Sequence, residues 1–438
     1  MQPIKLPPIE KRLQKRYKKL VESHMQAMPE LAAGIKHLPS LKSSFANTQA
    51  AWRFLNNDRI KFANLIEPLR EEGCEEGNKS HKQFVLLIHD WCKISYAKDS
   101  KKDLTVISHK HDIGYELFTT LLVEAGHGQP LAPMHMQLKT ADGSWNTDDK
   151  KTTSNMHLEQ ITPLMKTSQN WGIKKDIIHV IDREADAVDY YRLWNRAGYR
   201  FLVRGNERRV QYEGGSYLLS EIRHRFHKEQ RFSSIGKCDY HGRPSHLFVA
   251  QANITLERPA EKKINGRRFK QPGCQLNLRL LIVEVRGNNA QVLSHWFLLS
   301  NVEEALASSA ELAQCYYWRW RIESYFKLIK THGQQIEYWQ QKTGQAILRR
   351  LLVAAMACVM VWKLQADQSE EAQEIKVLLV KLSGRQMKRN RTETAPALLS
   401  GLWILLSMLS LLEHYDINRL KRLSTYLPFF NHGSEEDV

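Results

Sequence analysis

The sequence is poor in cysteine, and its cysteines show no paired spacing. The six cysteines are scattered over 438 residues without a Cys-x-x-Cys motif. This pattern argues against a disulfide framework and a zinc ribbon, and it is typical of reduced thiols in a cytosol. The basic N-terminal residues are not followed by an apolar stretch with a cleavage site, so we expect no signal peptide.

Long uncharged runs are also scarce. The run over residues 395–412 is long enough to raise the question of a membrane span, but it contains a proline, a glycine and three serines. We interpret it as a helix that is buried or that contacts another subunit. We therefore expect no membrane partner.

Acidic residues are too few to balance the basic ones. Lys and Arg number 64 against 47 Asp and Glu, which leaves a net charge of +17. A polyanionic partner, with nucleic acid as the first candidate, is the simplest reason for this excess, and a basic protein without such a partner is the alternative.

The N-terminal region, residues 9–69, has a helical and basic pattern. Cations recur there at intervals of three and four residues, which places them along one helix as a stripe: Lys11, Lys15 and Lys18, with Arg12, Arg16 and Lys19. Such a stripe can bind DNA phosphates, and it can equally be a solvated helix face.

The middle of the chain has the pattern of an α/β domain. The apolar run 84–88 predicts a strand that is buried on both faces, with Asp90 just after it. Further strand-like segments alternate with helical ones, and the pattern between 207 and 293 predicts a β-rich insertion with basic loops. We predict three domains: a helical DNA-binding domain at 1–72, a catalytic domain at 80–345 that contains the insertion, and a helical C-terminal region at 346–438.

One segment, residues 316–330, has a pattern of charged and aromatic residues that indicates a functional site. If it forms a single helix, six side chains share one face: Tyr316, Arg319, Trp320, Glu323, Lys327 and Lys330. Arg and Lys suit a phosphate, and Glu suits a metal ion that also contacts that phosphate. The alternative is an amphipathic surface helix with ion pairs four residues apart.

This segment resembles the Tyr-Arg-Glu-Lys signature of bacterial DDE transposases of the insertion sequence four family, which includes the transposon five enzyme. Three further segments resemble family motifs in the expected order. Residues 48–57 are similar to the helical DNA-binding segment, 88–90 to the first catalytic aspartate motif, and 182–186 to the second. Trp91 and Cys92 depart from the family, where small hydroxyl residues are usual, and the C-terminal region resembles the transposon five enzyme only weakly.

The resemblance implies an α/β fold with an RNase H-like core. Asp90 and Asp182 would lie on neighbouring strands and Glu323 on a helix that closes against them. Three carboxylates suit two Mg²⁺ or Mn²⁺ ions, which can activate the attacking oxygen and stabilise the leaving one. By the same resemblance, the residues expected to contact DNA are Tyr316, Arg319, Lys327, Lys330 and Arg204.

The resemblance also draws attention to Trp296. In relatives that form DNA hairpins, a tryptophan at the end of the insertion stacks on a base that is flipped from the strand end, and Trp296 occupies the matching place. The alternative is that Trp296 is a core residue of its strand.

We therefore predict a cut-and-paste DNA transposase. It would bind the terminal inverted repeats of its element, pair two ends as a homodimer, cleave them through a hairpin intermediate and join the 3′-hydroxyl end to target DNA. We expect a bacterial cytoplasmic protein associated with the nucleoid, with no small-molecule substrate. The alternatives are a related nuclease without strand transfer and a DNA-binding inhibitor that has lost catalysis.

Overall fold

The computed structural model describes residues 4–25, 41–149, 157–257, 260–264, 267–271, 273–331, 333–385 and 393–426. It has a mixed α/β fold, which confirms the predicted class, and the chain divides into two compact units. The first unit comprises Met1–Leu65, Ile94–Leu104 and Lys327–Val438. The second unit comprises Ile66–Lys93 and Thr105–Phe326.

A large sheet forms the centre of the second unit. Its strands are β1 Phe84–Ser95, β2 Thr105–Val106, β3 Ile113–Glu124, β4 Pro130–Thr140, β5 Gly143–Asn146, β6 Asp176–Ile181, β7 Arg200–Gly205, β8 Arg209–Tyr212, β9 Gly215–Leu218, β10 Ser233–Tyr240, β11 Arg243–Leu256, β14 Leu276–Arg286 and β15 Val292–Ser300. They run in the order β5-β4-β3-β1-β6-β7-β15-β14-β11-β8-β9, with β2 beside β3 and β10 beside β11. Strand β6 pairs in parallel with β1 and with β7, whereas most other neighbours pair antiparallel.

The helices of the second unit pack on this sheet through large apolar side chains. They are α4 His157–Ser168, α5 Val188–Arg196, α6 Leu219–Lys228, α7 Ser309–Tyr317 and most of α8 Trp320–Ile329. The contact of α5 with the sheet shows how they pack. Tyr191 and Trp194 are fully buried, and their rings lie 5.2 and 5.7 Å from that of Phe201 on β7. Aromatic packing of this kind adds to the free energy of burial and fixes α5 beside the end of β6.

The predicted β-rich insertion is continuous with the main sheet. Residues 207–293 contain the strands from β8 to β14 and helix α6, and strands β14, β11, β8 and β9 extend the sheet beyond β15. A separate hairpin joins β12 Ala260–Ile264 to β13 Arg267–Gln271, and the predicted turn at 265–266 lies outside the described residues. Residues 71–79, where the sequence predicts a domain boundary, are the end of helix α3, Phe62–Lys79. The predicted domain limits stay predictions.

The first unit is built on helices. They are α1 Lys11–Met25, α2 Leu41–Leu55, α9 Gly344–Ala366, α10 Glu370–Leu382, α11 Ala395–Leu412 and α12 Ile417–Ser424. Helix α9 is buried along most of its length, and Arg349 on it is only 5% exposed. Its guanidinium donates to the carbonyl oxygens of Leu55 and Ile60 at 3.0 and 3.1 Å, which satisfies the buried charge and the end of α2 together.

Helix α11 covers the uncharged run noted in the sequence. By length and composition it could cross a membrane, with 18 residues and a mean hydropathy of 2.0, but a helix of a protein core passes the same test. Its first half packs closely on α10, since a Cβ added at Gly401 would lie 2.0 Å from the carbonyl oxygen of Leu379. Its second half exposes Met408, Leu409 and Leu412.

Candidate active site

Asp90 and Asp182 are brought together by strand register. Strands β1 and β6 pair in parallel, and the last pair of the ladder is His89 with Ile181. Asp90 and Asp182 are each the next residue, so their side chains leave adjacent strands at the same level and on the same face. The apolar run before each aspartate is buried on both faces, as befits two interior strands of the sheet. Asp90 lies within β1 rather than after a strand that ends at residue 88.

Glu323 comes from a helix that starts later than the sequence predicts. A single helix over residues 316–330 is wrong, because α7 ends at Tyr317 and α8 begins at Trp320. Trp318 lies at the break, and its ring is against the backbone of Gly128. That glycine has a φ of +68°, and a Cβ added there would lie 2.4 Å from the ring. The break places Arg319 in the turn between the helices, where it is 6% exposed rather than on a solvated helix face.

The guanidinium of Arg319 contacts all three carboxylates. Its Nη1 donates to Asp90 Oδ2 at 2.9 Å, and its Nη2 donates to Glu323 Oε1 at 2.7 Å and lies 3.5 Å from Asp182 Oδ2. Nε of Arg319 has no acceptor among the described residues. A buried donor left in this way costs about 1–3 kcal/mol. The arrangement therefore sets one positive charge against three carboxylates and does not satisfy the arginine completely.

Backbone amides hold the other oxygen of each aspartate. Asp90 Oδ1 accepts from the N–H of Trp91 at 2.9 Å, and Asp182 Oδ1 accepts from the N–H of Arg183 at 2.7 Å. Both Oδ2 atoms consequently face Arg319. The Tyr316 hydroxyl also donates to Asp182 Oδ1, at 3.1 Å, and Arg204 Nη1 lies 3.8 Å from the same oxygen. With Arg319, three residues predicted to contact DNA thus contact a carboxylate in this structure.

The two aspartates differ in acidity. Burial raises the pKa of Asp90 to about 6, against the opposing effect of Arg319 and the Trp91 N–H. Burial would also raise the pKa of Asp182, but Arg319, the Arg183 N–H, Arg204 and the Tyr316 hydroxyl together lower it below its usual value. Near pH 6 the pair therefore holds one firmly ionised carboxylate and one that exchanges its proton.

Comparison with known proteins places this site in a family. Residues 136–360 match the family described as the transposase DDE domain. The chain belongs to this family. The matched range contains Asp182, Arg319 and Glu323, whereas Asp90 precedes it. Membership of the insertion sequence four family in particular stays a prediction.

Among solved structures, this DDE transposase domain protein is similar to a piggyBac transposase in a synaptic complex with hairpin DNA, determined by cryo-EM. The two are 8% identical, and the likeness covers 97% of this chain and 77% of that chain with a TM-score of 0.36. That score is too low to establish a shared fold.

The donor set of this DDE transposase domain fits a hard divalent cation. Domains of the family generally use divalent metal ions, and three carboxylates are the ligands that Mg²⁺ and Mn²⁺ prefer. The oxygens free of backbone bonds, Oδ2 of both aspartates and Oε1 of Glu323, would be the ones to hold it. In the described part of the chain, no three His, Cys, Asp or Glu side chains stand at metal-ligand spacing. The three carboxylates surround the guanidinium of Arg319 and do not stand at the spacing that a metal ion requires.

Sequence reasoning missed a group of side chains that supports Asp90. The ring of Trp91 is stacked between Phe118 and His157, with centroid distances of 4.7 and 4.4 Å. His157 in turn bonds Glu116 at 3.1 Å and Glu184 at 2.6 Å. In the sequence, Trp91 stands out only as a departure from the family pattern, and no spacing marks His157. Together they connect the segments that carry Asp90 and Asp182.

Trp296 of the transposase domain is buried. It is 4% exposed, and its ring lies 5.4 Å from that of Tyr316. The indole therefore has no face open to DNA in this conformation, which favours the core alternative. Base stacking by Trp296 would require the ring to leave this position, and it stays a prediction.

The predicted N-terminal cations line a groove in the first unit. Lys11 and Lys15 are exposed on α1, and Arg16 is half-buried and donates to Asn47 of α2 at 3.2 Å. The groove has a volume of about 500 Å³, and its lining includes the cations Arg12, Lys15, Arg16, Lys19 and Arg53. The basic stripe is therefore joined by a cation from α2. Its contact with DNA stays a prediction.

Lys327 lies in the last turn of α8, and Lys330, the lysine of the signature, follows that helix; both are in the first unit. Lys327 is exposed, and Lys330 lies 3.2 Å from Glu337. Their predicted contacts with DNA are likewise predictions.

Proposed function

We propose that the chain is a cut-and-paste DNA transposase whose carboxylates Asp90, Asp182 and Glu323 carry the chemistry. One observation carries the proposal. The fold brings these three residues, which are distant in sequence, within 3.5 Å of a single guanidinium in a protein of the transposase DDE domain family. Half-buried carboxylates gathered in this way repel one another, and such clusters are frequent at catalytic sites.

The proposed core is RNase H-like, as the resemblance to the insertion sequence four family implies. In support, Asp90 and Asp182 leave adjacent parallel strands at the same level, and Glu323 lies in the first turn of a helix whose preceding residues contact both aspartates.

The reaction proposed is phosphodiester cleavage followed by joining. Two Mg²⁺ or Mn²⁺ ions, when bound, would activate the attacking water or 3′-hydroxyl and would stabilise the leaving oxygen. The chain contributes the ligand oxygens. The amides of Trp91 and Arg183 turn Oδ2 of each aspartate into the site, and Asp90 must lose its proton before it can act as a ligand.

The DNA partners proposed are the inverted repeats at the element ends and the target. The exposed cations Lys11 and Lys15 and the groove behind them suit the phosphates of the repeat, and the net charge of +17 favours binding of both DNAs. Arg204, Lys327 and Lys330 are further proposed contacts. By the resemblance we also propose a hairpin intermediate, a homodimer in the end-paired complex, and a place beside the bacterial nucleoid.

The experiment uses the DNA that flanks the gene. Purified full-length chain is incubated with Mg²⁺, a fragment that carries the flanking inverted repeat, and a supercoiled target plasmid, and the products are resolved on native and denaturing gels. We expect cleavage at the end of the repeat, a hairpin product, and joining of the 3′ end to the plasmid, all abolished by EDTA.

Two results would contradict the proposal in different ways. Cleavage without joined product, at any target concentration, would indicate a nuclease. Tight binding to the repeat without cleavage in either Mg²⁺ or Mn²⁺ would indicate an inhibitor of transposition.

A further inference from the structure

We propose that Arg319 is an exchangeable counter-ion for the active site. In the metal-free chain it pairs with Asp90, Asp182 and Glu323; when a divalent cation binds, Arg319 releases them and its guanidinium becomes available to a DNA phosphate. This inference rests on the proposed function and adds a regulation of the same site: the arginine that binds DNA is freed only where metal is bound.

The geometry makes the two cations competitors. Arg319 contacts Asp90 Oδ2 and Glu323 Oε1 at 2.9 and 2.7 Å and lies 3.5 Å from Asp182 Oδ2. These are the oxygens that backbone amides leave free. A divalent ion binds such oxygens at about 2.1 Å, so sharing them would place two cations only a few ångströms apart. The guanidinium and the ion therefore compete for these oxygens.

Burial ties the position of Arg319 to the carboxylates. The residue is 6% exposed, and a buried guanidinium needs acceptors for its donors, which the carboxylates supply here. Once the carboxylates are taken, Arg319 needs new acceptors, and a phosphate suits its fork of donors. Its Nε is buried and has no acceptor in the described part of the chain, so it would gain one only when the side chain moves towards a phosphate.

A positioning role is the competing explanation, and it predicts the opposite sign. If Arg319 only preset the carboxylates for metal, its removal would disorder them and weaken metal binding. If it competes with the metal, its removal strengthens metal binding. Metal affinity measured without DNA therefore separates the two roles.

The test is a titration of the full chain with Mn²⁺ in the absence of DNA. Calorimetry and electron paramagnetic resonance measure the dissociation constant for Mn²⁺. We expect Arg319→Gln to lower the dissociation constant for Mn²⁺ by about 10-fold or more, because it removes a positive charge that would lie a few ångströms from the ion. Arg319→Lys should fall between Arg319→Gln and wild type, because a point charge cannot bridge two carboxylates. The matched control is Arg321→Gln, which removes the same charge from an exposed position of α8 and should bind Mn²⁺ like wild type.

Thermal unfolding provides a second readout and a check on folding. Without Arg319 the carboxylates repel one another, so Arg319→Gln should melt below wild type in EDTA and gain more than wild type from Mn²⁺. If Arg319→Gln does not fold in EDTA, Arg319→Lys is titrated instead. We then expect its dissociation constant for Mn²⁺ to be lower than that of wild type.

Equal or weaker Mn²⁺ binding by the Arg319 variants would overturn the exchange. A separate single variant, Asp182→Asn, distinguishes this failure from failure of the proposed function. If Asp182→Asn abolishes Mn²⁺ binding while Arg319→Gln and wild type bind equally, the metal site stands and only the exchange is refuted. If binding is unchanged by Asp182→Asn, the ion lies elsewhere, and both the exchange and the proposed metal ligands fail.

Discussion

His157 should stabilise the protein in a strongly pH-dependent way. Its two ring nitrogens bond Glu116 and Glu184, and its ring stacks on Trp91. Burial would lower the pKa of His157, but the two carboxylates outweigh it and raise the pKa to about 9. We expect His157→Gln to remove this charge and the stabilisation that comes with it.

The sign follows from the direction of the shift. Because the pKa is higher in the folded chain than the ordinary value of 6.5, the folded state holds the proton more tightly. The stabilisation is therefore complete below about pH 6.5 and is lost as the pH rises through 9. A difference of 2.5 units, from 6.5 to about 9, corresponds to at most about 3.4 kcal/mol.

Solvent reduces that ceiling. The side chain of His157 is 28% exposed and that of Glu184 is 59% exposed, so screening leaves about 1–2 kcal/mol. The assay is urea unfolding of wild type and His157→Gln at pH 6 and pH 10, with His224→Gln, at an exposed position, as the control. We expect His157→Gln to lose stability at pH 6 and little at pH 10. An equal loss at both values would refute the electrostatic reasoning and leave ring packing on Trp91 as the contribution.

Three further substitutions test other parts of the structure. Changing Lys11, Lys15 and Lys18 together to Gln should flatten the dependence of log DNA affinity on log salt by roughly one unit per lost phosphate contact. An unchanged slope would show that the stripe is a solvated helix face that does not bind DNA. Trp296→Ala should cost about 3–5 kcal/mol of stability and should reduce nicking and hairpin formation alike, because the ring is buried against Tyr316; a loss confined to hairpin formation, with an unchanged melting temperature, would support base stacking instead. Gly128→Ala should lower both the melting temperature and DNA cleavage, since its Cβ would lie 2.4 Å from Trp318 at the break before α8; wild-type cleavage and stability would show that this contact does not fix the break.

The strands that carry the aspartates could be predicted because their signal is local. An apolar run before Asp90 and another before Asp182 are enough to indicate buried strands. Their parallel pairing and register depend on contacts between segments distant in sequence, and no local pattern specifies them. The resemblance to a transposase family supplied the expectation that the two strands are neighbours.

The break between α7 and α8 could not be predicted for a similar reason. Residues 316–323 contain neither proline nor glycine, so their pattern continues as one helix. The break brings Trp318 against Gly128, which lies in a turn far away in the sequence. It also decides the position of Arg319, which the sequence assigns to DNA and the structure places on the carboxylates. His157 carries no motif, and only the fold shows that it bridges two glutamates.

The most direct measurement of the central claim is single-turnover cleavage of end DNA in Mg²⁺ by Asp90→Asn, Asp182→Asn and Glu323→Gln. These substitutions keep the size of each side chain and remove one ligand charge. If bound metal contributes several kcal/mol to the transition state, each variant should cleave about 1,000-fold more slowly or worse, with DNA affinity unchanged. Asp189→Asn, on helix α5, is the control and should cleave like wild type. Cleavage by Glu323→Gln within about 10-fold of the wild-type rate would contradict the assignment of these three carboxylates as the catalytic site.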